Sequence, residues 1–229
     1  MRRTLVIGDV HGCQAELSDL LDACAYTDGD QVLLVGDLVA KGPDSRGVLA
    51  LLRRIGARSV RGNHDQAVLR WQDPAARQAA PEPGPHHLRL ARQLDETEWA
   101  QLKELPLWLS VPEYALLIVH AGLVPGIPLE QQDGELLMNM RTLRPDGTGS
   151  RRPEDGALWG ASWPGPERVV FGHHATAGLQ QHPHALGLDT GCVYGGQLTA
   201  LVLPDDRIQQ VPARKVYVAA DGLDRRGAT

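Results

Sequence analysis

Side chains that commonly bind metal ions follow five short apolar runs of this 229-residue chain, in four cases after a glycine that closes the run. In chain order they are Asp9 and His11, then Asp37, then Asn63 with His64 and Asp65, then His120, and then His173. A Gly-Asp pair after one strand is usually a turn, but turns explain poorly the repetition of this arrangement at five strand ends. Because α/β sheets bind ligands beyond the carboxyl ends of their strands, we expect these side chains to converge on one crevice.

The candidate metal ligands offer oxygen and imidazole donors in equal number: Asp9, Asp37 and Asn63, and His11, His120 and His173. Mixed donors of this kind suit Mn, Fe, Zn or Co better than Ca²⁺, which favours all-oxygen sites. If one carboxylate binds both ions, the six ligands are enough for two divalent cations. We expect Mn²⁺, with Co²⁺, Zn²⁺, Fe or Mg²⁺ as alternatives. Two cations about 3.5–4 Å apart can activate water and hold the attacking and leaving oxygens at a phosphorus atom.

The charge balance favours an anionic small molecule as the substrate. The formal net charge of −5 and the pI near 6.0 argue against a generally basic surface for duplex nucleic acid. Two divalent cations outweigh the carboxylates of Asp9 and Asp37, so the crevice itself would be positive. A positive crevice on an acidic protein suits a phosphate compound.

The elements that must position these residues begin with a β-α-β-α-β pattern. Apolar runs predict buried strands at Thr4–Ile7, Gln31–Val35 and Arg58–Arg61. Between these runs, apolar residues recur at helical spacing, at Leu17, Leu20, Leu21 and Cys24 and again at Val48, Leu49, Leu52 and Ile55. Strands that alternate with helices predict an α/β fold with a parallel sheet.

The later part of the chain predicts a second sheet. A helix over Glu96–Leu105, ended by Pro106, precedes a hairpin of Trp108–Val111 and Ala115–Val119. Further apolar runs follow at Arg168–Phe171, Ala185–Leu188, Gln197–Leu203 and Ile208–Val211, with a possible last one at Lys215–Val218. We expect these runs to form an antiparallel or mixed sheet that packs on the first.

Length and composition fit one cytoplasmic domain over residues 1–229. No apolar stretch approaches the roughly 20 residues that a membrane-spanning helix needs. Cys13, Cys24 and Cys192 are unpatterned, which favours a reducing compartment over a disulfide scaffold. The acidic composition makes a monomer the simplest expectation.

Five ordered motifs carry a resemblance to a known family: GDVHG (Gly8–Gly12), GDLVAKGP (Gly36–Pro43), GNHD (Gly62–Asp65), HAG (His120–Gly122) and GH (Gly172–His173). They resemble the motifs of phosphoprotein phosphatase-type metallophosphoesterases. With LDTGCVYGGQLTAL (Leu188–Leu201), the chain is most similar to symmetrical diadenosine tetraphosphate hydrolases and ApaH-like phosphatases. The resemblance implies a calcineurin-like β-sandwich of two mixed sheets flanked by helices, with cap insertions at about 66–110 and 124–166.

The resemblance also implies a role for each motif residue. Asp9 and His11 would hold the first metal and Asp37 would bridge, while Asn63, His120 and His173 would complete the second. His64 would be the general acid that protonates the leaving oxygen. Arg141 would bind phosphate, with Arg144, Arg151 and Arg152 as alternatives. Tyr194, Trp159 and Trp163 could stack on a nucleobase, although core packing is the alternative for both tryptophans.

One motif departs from the family pattern. Protein phosphatases of this family have Asp-Arg-Gly where this chain has Ala40-Lys41-Gly42. The Asp that would orient His64 is therefore missing, and Asp65 is the nearest acidic residue in sequence. Lys41 keeps the charge of the Arg without its planar fork, so it would bind phosphate as a point charge. Lys followed by Gly-Pro is similar to the ApaH-like group, which widens the range of substrates.

Together these features predict a dinuclear metal-dependent hydrolase of dinucleoside polyphosphates that splits diadenosine tetraphosphate symmetrically into two ADP. Capped RNA ends and inorganic polyphosphate are alternative substrates for the same chemistry. A serine/threonine protein phosphatase is a further alternative, which the missing Asp-Arg-Gly disfavours. A binding module that keeps the fold without metals is disfavoured by the complete ligand set.

Overall fold

The computed structural model of the chain describes residues 2–73 and 84–219. Its first part forms the predicted β-α-β-α-β unit, in which β1 (Thr4–Ile7), β2 (Gln31–Leu34) and β3 (Arg58–Ser59) are parallel. The helices α1 (Gln14–Ala23) and α2 (Ser45–Arg54) connect them. The predicted parallel pairing of these three strands is confirmed, although β2 and β3 end earlier than their apolar runs.

The two connecting helices pack on the sheet through their apolar faces. Leu17 and Leu20 of α1 and Val48 and Leu49 of α2 are fully buried in one apolar cluster. The start of α2 is fixed by Asp44, whose side chain accepts a hydrogen bond of 2.7 Å from the backbone N–H of Gly47. This contact pairs one of the N–H groups that a helix start leaves unpaired, and so anchors the preceding loop.

The second sheet has the strand order β10-β11-β9-β5-β4. It contains β4 (Trp108–Val111), β5 (Leu116–Val119), β9 (Arg168–Phe171), β10 (Gln180–Gln181) and β11 (Ala185–Gly187). The strands β4 and β5 form the predicted hairpin, while β5, β9 and β11 are parallel neighbours. The predicted mixed sheet is therefore present.

Two late strands belong to the first sheet, which corrects the prediction for them. β12 (Gln197–Leu203) pairs antiparallel with β1, and β13 (Arg207–Pro212) pairs with β12, giving the order β13-β12-β1-β2-β3. Apolar periodicity indicates a strand but not its partner, and β12 is buried on both faces between β13 and β1. The prediction of a possible strand at Lys215–Val218 is wrong, because the chain bends in this segment and pairs with neither sheet as a strand.

The two sheets pack face to face on a shared apolar core. Val6, Leu33 and Leu201 of the first sheet meet Ile118 and Val170 of the second in one buried cluster. The predicted fold of two mixed sheets flanked by helices is confirmed by this arrangement. It brings the carboxyl ends of β1, β2, β5 and β9 to one region, because the loops that follow them contact one another.

The segments predicted as cap insertions contain short elements. The first includes most of α3 (Asn63–Arg70), then α4 (Pro85–Ala91) and α5 (Glu96–Lys103), which ends two residues before the predicted limit at Leu105. The second includes α6 (Gly134–Asn139) and a small sheet of β6 (Thr142–Leu143), β7 (Gly149–Ser150) and β8 (Ala157–Leu158). Among the described residues, no helix has the length and apolar character needed to cross a membrane.

Candidate metal centre

The loops that follow five strands bring the predicted ligands together. Asp37 lies at the centre of the group: its Oδ2 atom is 3.4 Å from Nε2 of His11 and 3.6 Å from Nε2 of His120. Possible ligand atoms of Asp37, His11 and His64 lie within 4.8 Å of one another, as do those of Asp37, His120 and Asp9. Asp37 is thus shared by two groups that could each hold a cation.

A second contact network surrounds Asn63. Its Oδ1 atom lies 3.0 Å from Nε2 of His120 and 3.0 Å from Nδ1 of His173. The other ring nitrogen of His173 is 3.1 Å from the backbone oxygen of Asn139. The backbone N–H of His173 donates to Asp9, at 3.1 and 3.2 Å from its carboxylate oxygens. The six predicted ligands therefore form one connected cluster.

Glycine is required at two positions because the carboxylates approach the backbone closely. A Cβ atom placed on Gly62 would lie 2.1 Å from Oδ1 of Asp37, and one on Gly172 would lie 1.9 Å from Oδ1 of Asp9. Both distances are far below van der Waals contact. The motif glycines are therefore needed to seat the two carboxylates.

Backbone strain is concentrated in the same loops. His11, Asp37, Ala40, Lys41 and His173 have φ angles between 48° and 70°, in the left-handed region that residues with a Cβ atom rarely occupy. Strain of this kind persists where the surrounding structure holds it, and it is common at functional sites.

Burial raises the pKa of the carboxylates in the cluster. It raises the pKa of Asp37 to about 6, and burial with the nearby charges of Asp189 and Asp37 raises that of Asp9 well above 3.8. Asp189 is itself buried, with a pKa raised to about 6, and accepts a hydrogen bond of 3.1 Å from the N–H of Gly191. Carboxylates packed together in this way carry negative charge only at a cost, which a bound cation would offset.

Burial has the opposite effect on the histidines. It lowers the pKa of His120 to about 4 and lowers those of His11 and His173 well below 6.5, with further contributions from neighbouring charges. These rings are therefore neutral at pH 7, which is the form that binds metals. The backbone oxygen of Val35 lies 2.8 Å from Nδ1 of His120 and would fix Nε2 as its ligand atom. Neutral imidazoles beside buried carboxylates fit a pair of divalent cations.

Lys41 is the basic side chain nearest the cluster in the described contacts. Its Nζ atom lies 3.4 Å from Nε2 of His11 and donates a 2.7 Å hydrogen bond to the hydroxyl of Tyr194. The predicted residues Lys41 and Tyr194 thus meet at the rim of the cluster. Tyr194 is held by this contact, with Lys41 5.2 Å from the centre of its ring.

The candidate arginines lie at different distances from the cluster. Arg141 is near enough for its charge to lower the pKa values of His173 and His174, after the larger effect of burial. Arg144 forms an ion pair of 2.9 Å with Asp155, and Arg151 forms one of 3.0 Å with Glu135. Arg141 is therefore the better placed candidate for phosphate.

The two tryptophans of the second cap segment pack in the interior or against each other. Trp159 is 1% exposed and donates a 2.9 Å hydrogen bond to the backbone oxygen of Ala121. Trp163 packs against its edge and donates to the backbone oxygen of Glu167. For Trp159 the structure supports core packing, and its ring is not available to stack on a base.

Sequence reasoning missed two residues at the site. Asp189 follows the strand β11 closely, so the strand-end rule applied to the other ligands would have found it. His87, on α4, lies 2.8 Å from His64 between their Nε2 and Nδ1 atoms. No local pattern marks His87, since its position depends on how α4 packs against α3.

Comparisons with known proteins agree with this arrangement. A family model described as Calcineurin-like phosphoesterase matches residues 2–211. The asymmetrical bis(5'-nucleosyl)-tetraphosphatase PrpE of Halalkalibacterium halodurans is 32% identical, over 93% of this chain and 95% of that protein. The symmetrical bis(5'-nucleosyl)-tetraphosphatase of Aromatoleum aromaticum is also 32% identical, over 91% of this chain and 96% of that protein.

Solved structures give the same assignment of the fold. A crystal structure described as a "putative diadenosine tetraphosphatase" is 40% identical, with a TM-score of 0.83, and covers 92% of this chain and 93% of its own. A protein serine/threonine phosphatase from Saccharomyces cerevisiae has a TM-score of 0.62 at 15% identity, over 93% of this chain and 80% of its own. At that identity the likeness concerns the fold alone.

Proposed function

The chain belongs to the calcineurin-like phosphoesterase family, and from this premise we propose that it hydrolyses phosphoanhydride bonds of dinucleoside polyphosphates. Diadenosine tetraphosphate, cleaved symmetrically to two ADP, is the proposed reaction. The observation that carries the proposal is the single connected cluster that the six candidate ligands form around Asp37, with Lys41 at its rim. The names of relatives that match over almost their whole length support the same substrate class.

The residues present fit two divalent cations, and we propose Mn²⁺ for both. Asp9, His11, Asp37, Asn63, His120 and His173 would hold them, with Asp37 shared. When bound, the pair would supply Lewis-acid chemistry that activates water and neutralises charge on the attacked phosphate. Manganese is proposed over calcium because half of the donors are imidazoles.

The other side chains of the site would bind the substrate and move a proton. Lys41 and Arg141 would neutralise phosphate oxygens, and His64 would protonate the oxygen that leaves. Burial, with the nearby His11 and Lys41, lowers the pKa of His64 well below 6.5. The negative charge of a bound polyphosphate acts in the opposite direction, so substrate binding itself would favour the protonated form of His64.

A groove beside Lys41 supplies room for the rest of a long substrate. It has a volume of about 600 Å³ and carries more basic than acidic side chains. The basic residues of its lining are Lys41, Arg46, Arg89 and Lys215, and the acidic one is Asp44. Arg46 is paired at 2.8 Å with Glu98, which leaves the other three as candidate contacts for a phosphate chain.

The alternatives share the metal chemistry but need other substrates. The basic lining of the groove is compatible with inorganic polyphosphate or a capped RNA end, since both present a phosphate chain. A serine/threonine protein phosphatase is disfavoured by Ala40 and Lys41, which replace the acidic and guanidinium groups of that branch. Phosphate release from a phosphoserine peptide, measured beside diadenosine tetraphosphate, separates these cases.

Product analysis is the decisive experiment. Diadenosine tetraphosphate is incubated with manganese-loaded protein and the nucleotides are separated by ion exchange, with Asp37→Asn prepared identically as the control for contaminating activity. ADP alone supports symmetrical cleavage, while ATP with AMP would replace it by asymmetrical cleavage. No cleavage, or equal cleavage by the control, would overturn the proposed substrate.

Three further expectations are part of the proposal. We propose one domain over residues 1–229 with the two cap segments as insertions, a monomer in solution and a cytoplasmic location. Size-exclusion chromatography with light scattering tests the monomer, and limited proteolysis tests whether either cap segment separates from the domain. Fractionation of cells that express the protein tests its location.

A further inference from the structure

Within residues 2–73 and 84–219, the side-chain hydrogen bond of the proposed general acid His64 is to another histidine and not to a carboxylate. Position 40, where protein phosphatases of this family have Asp, is Ala. Asp65 does not replace it: its Oδ1 accepts from the backbone N–H groups of Leu38 and Val39, and its Oδ2 accepts from that of Gly62. Both oxygens of Asp65 are therefore committed to holding the loops.

A second histidine occupies the place of the missing partner. Nε2 of His87 lies 2.8 Å from Nδ1 of His64, and the two rings lie side by side with their centres 5.0 Å apart and their planes 14° apart. On its other side His64 meets the ring of His11 edge-on, at 4.9 Å between centres. The ring of His64 is thus fixed between two histidines, and only its Nε2 atom is left for proton transfer.

We infer that His87 is the positioning residue for His64, in the role that a carboxylate fills elsewhere in the family. This inference rests on the proposed hydrolase function. His87 accepts at its Nε2 a hydrogen bond from the Nδ1–H group of His64, which fixes both the ring orientation and the tautomer of His64. In this role His87 contacts His64 and acts through it, without binding a metal or the attacked phosphate.

The proton balance of the step follows from this arrangement. As the P–O bond to the leaving group breaks, the Nε2 proton of His64 passes to the leaving oxygen, while water forms the new P–O bond and loses a proton to solvent. His64 keeps its Nδ1 proton, shared with His87, and regains the Nε2 proton from solvent. No atom of His87 is consumed or transferred.

The test compares substrates that differ in their need for a proton. The holoenzyme and its His87→Ala, His87→Gln and His64→Ala variants are assayed on phenyl phosphate and on p-nitrophenyl phosphate, whose leaving group departs readily without protonation. Gln keeps an oxygen near the position of Nε2. The exposed His184→Gln variant, just before β11 and so at the opposite end of that strand from Asp189, is the control for histidine replacement.

We expect His87→Ala to lower kcat on phenyl phosphate about tenfold or more, a part of the about 10²–10⁴-fold that a general acid contributes. The loss on p-nitrophenyl phosphate should be within about threefold, with KM and metal content unchanged, and His87→Gln should recover most of the rate. The double variant with His64→Ala should be no slower than His64→Ala alone, because His87 acts through His64.

Equal losses on both esters, loss of metal, or additive losses in the double variant would overturn the inference. If His87→Ala does not fold, His87→Phe keeps an aromatic ring without nitrogen at this position and gives the same test. The aryl esters make the outcome independent of the proposed substrate. Wild-type protein that cleaves both esters but not diadenosine tetraphosphate would refute the substrate and leave the role of His87 decided by the variants.

Discussion

Asp37 and His64 are joined by a hydrogen bond of 2.8 Å, in which the backbone N–H of His64 donates to Oδ1 of the carboxylate. The other oxygen of Asp37 is the one that approaches His11 and His120. One carboxylate thus divides its two oxygens between the ligand cluster and the first turn of α3. The position of the proposed acid is thereby tied to the proposed metal bridge.

Replacing Asp37 by Asn should separate these two tasks. The amide oxygen can still accept from the N–H of His64, so the fold should be retained, but the charge that binds cations is lost. We expect metal content below two ions per chain and at least about a 100-fold loss of turnover. Elemental analysis of the purified variant checks this, and two retained metals would mean that Asp37 is not the bridge.

Replacing His64 by Ala should leave the metals in place. A missing general acid lowers turnover by about 10²–10⁴-fold while the ligand cluster is untouched. The measurement is kcat on diadenosine tetraphosphate with metal content determined on the same sample. A rate near that of the wild type would remove His64 from the acid role.

The ligand cluster was accessible to sequence analysis because a simple rule connects it to the fold. Parallel strands end at one edge of their sheet, so a ligand residue just after each strand must lie near the others, as Asp9 and Asp37 do. The same rule would have found Asp189 after β11. Lys41 did not come from this rule, because only the resemblance of GDLVAKGP to the family motif indicated its role.

Other features depend on packing that no local pattern records. Periodicity indicated that Gln197–Leu203 is a strand, but we predicted it in the second sheet, whereas it pairs with β1 in the first. Which of the two sheets a strand joins is decided by how their buried faces fit together. His87 is a similar case. Its partner His64 is on another helix, and only the packing of α4 on α3 brings the two rings together.

Lys41 should contribute mainly to substrate binding. Removing its charge in Lys41→Met deletes a charged contact of about 1.5–3 kcal/mol to phosphate, so kcat/KM should fall about 10- to 100-fold. Tyr194→Phe removes the hydroxyl that accepts from Lys41 and keeps the charge, and it should cost only a few-fold. Steady-state kinetics of both variants test the pair, and an unchanged kcat/KM in Lys41→Met would exclude Lys41 from binding phosphate.

Asp65 should matter for stability more than for chemistry. Its buried carboxylate accepts from three backbone N–H groups, which Asp65→Ala would leave without their partner. We expect the free energy of unfolding to fall by about 2–4 kcal/mol. Urea unfolding of the wild type, Asp65→Ala and Asp65→Asn measures this, and Asn should lose less because it keeps one acceptor oxygen. A loss below about 1 kcal/mol in the Ala variant would contradict the assignment.

The affinity for Mn²⁺ should fall steeply as the solution becomes acidic, and carboxylates rather than histidines should cause it. Burial raises the pKa of Asp37 to about 6 in the metal-free protein, so below pH 6 a proton must leave before the carboxylate can bind a cation. His120, with a pKa lowered to about 4, is already unprotonated at pH 5 and does not compete.

Lowering the pH from 6 to 5 adds a competing proton at Asp37 and weakens Mn²⁺ binding by up to about tenfold for each such proton. Asp9, whose pKa is raised well above its ordinary value, adds to the effect in the same direction. Calorimetric titration of EDTA-treated protein with Mn²⁺ in two buffers of different ionisation enthalpy counts the protons released. We expect Mn²⁺ binding to release protons at pH 5.5 and to release none at high pH. An affinity for Mn²⁺ that stays constant down to pH 5 would show that these carboxylates are not the ligands.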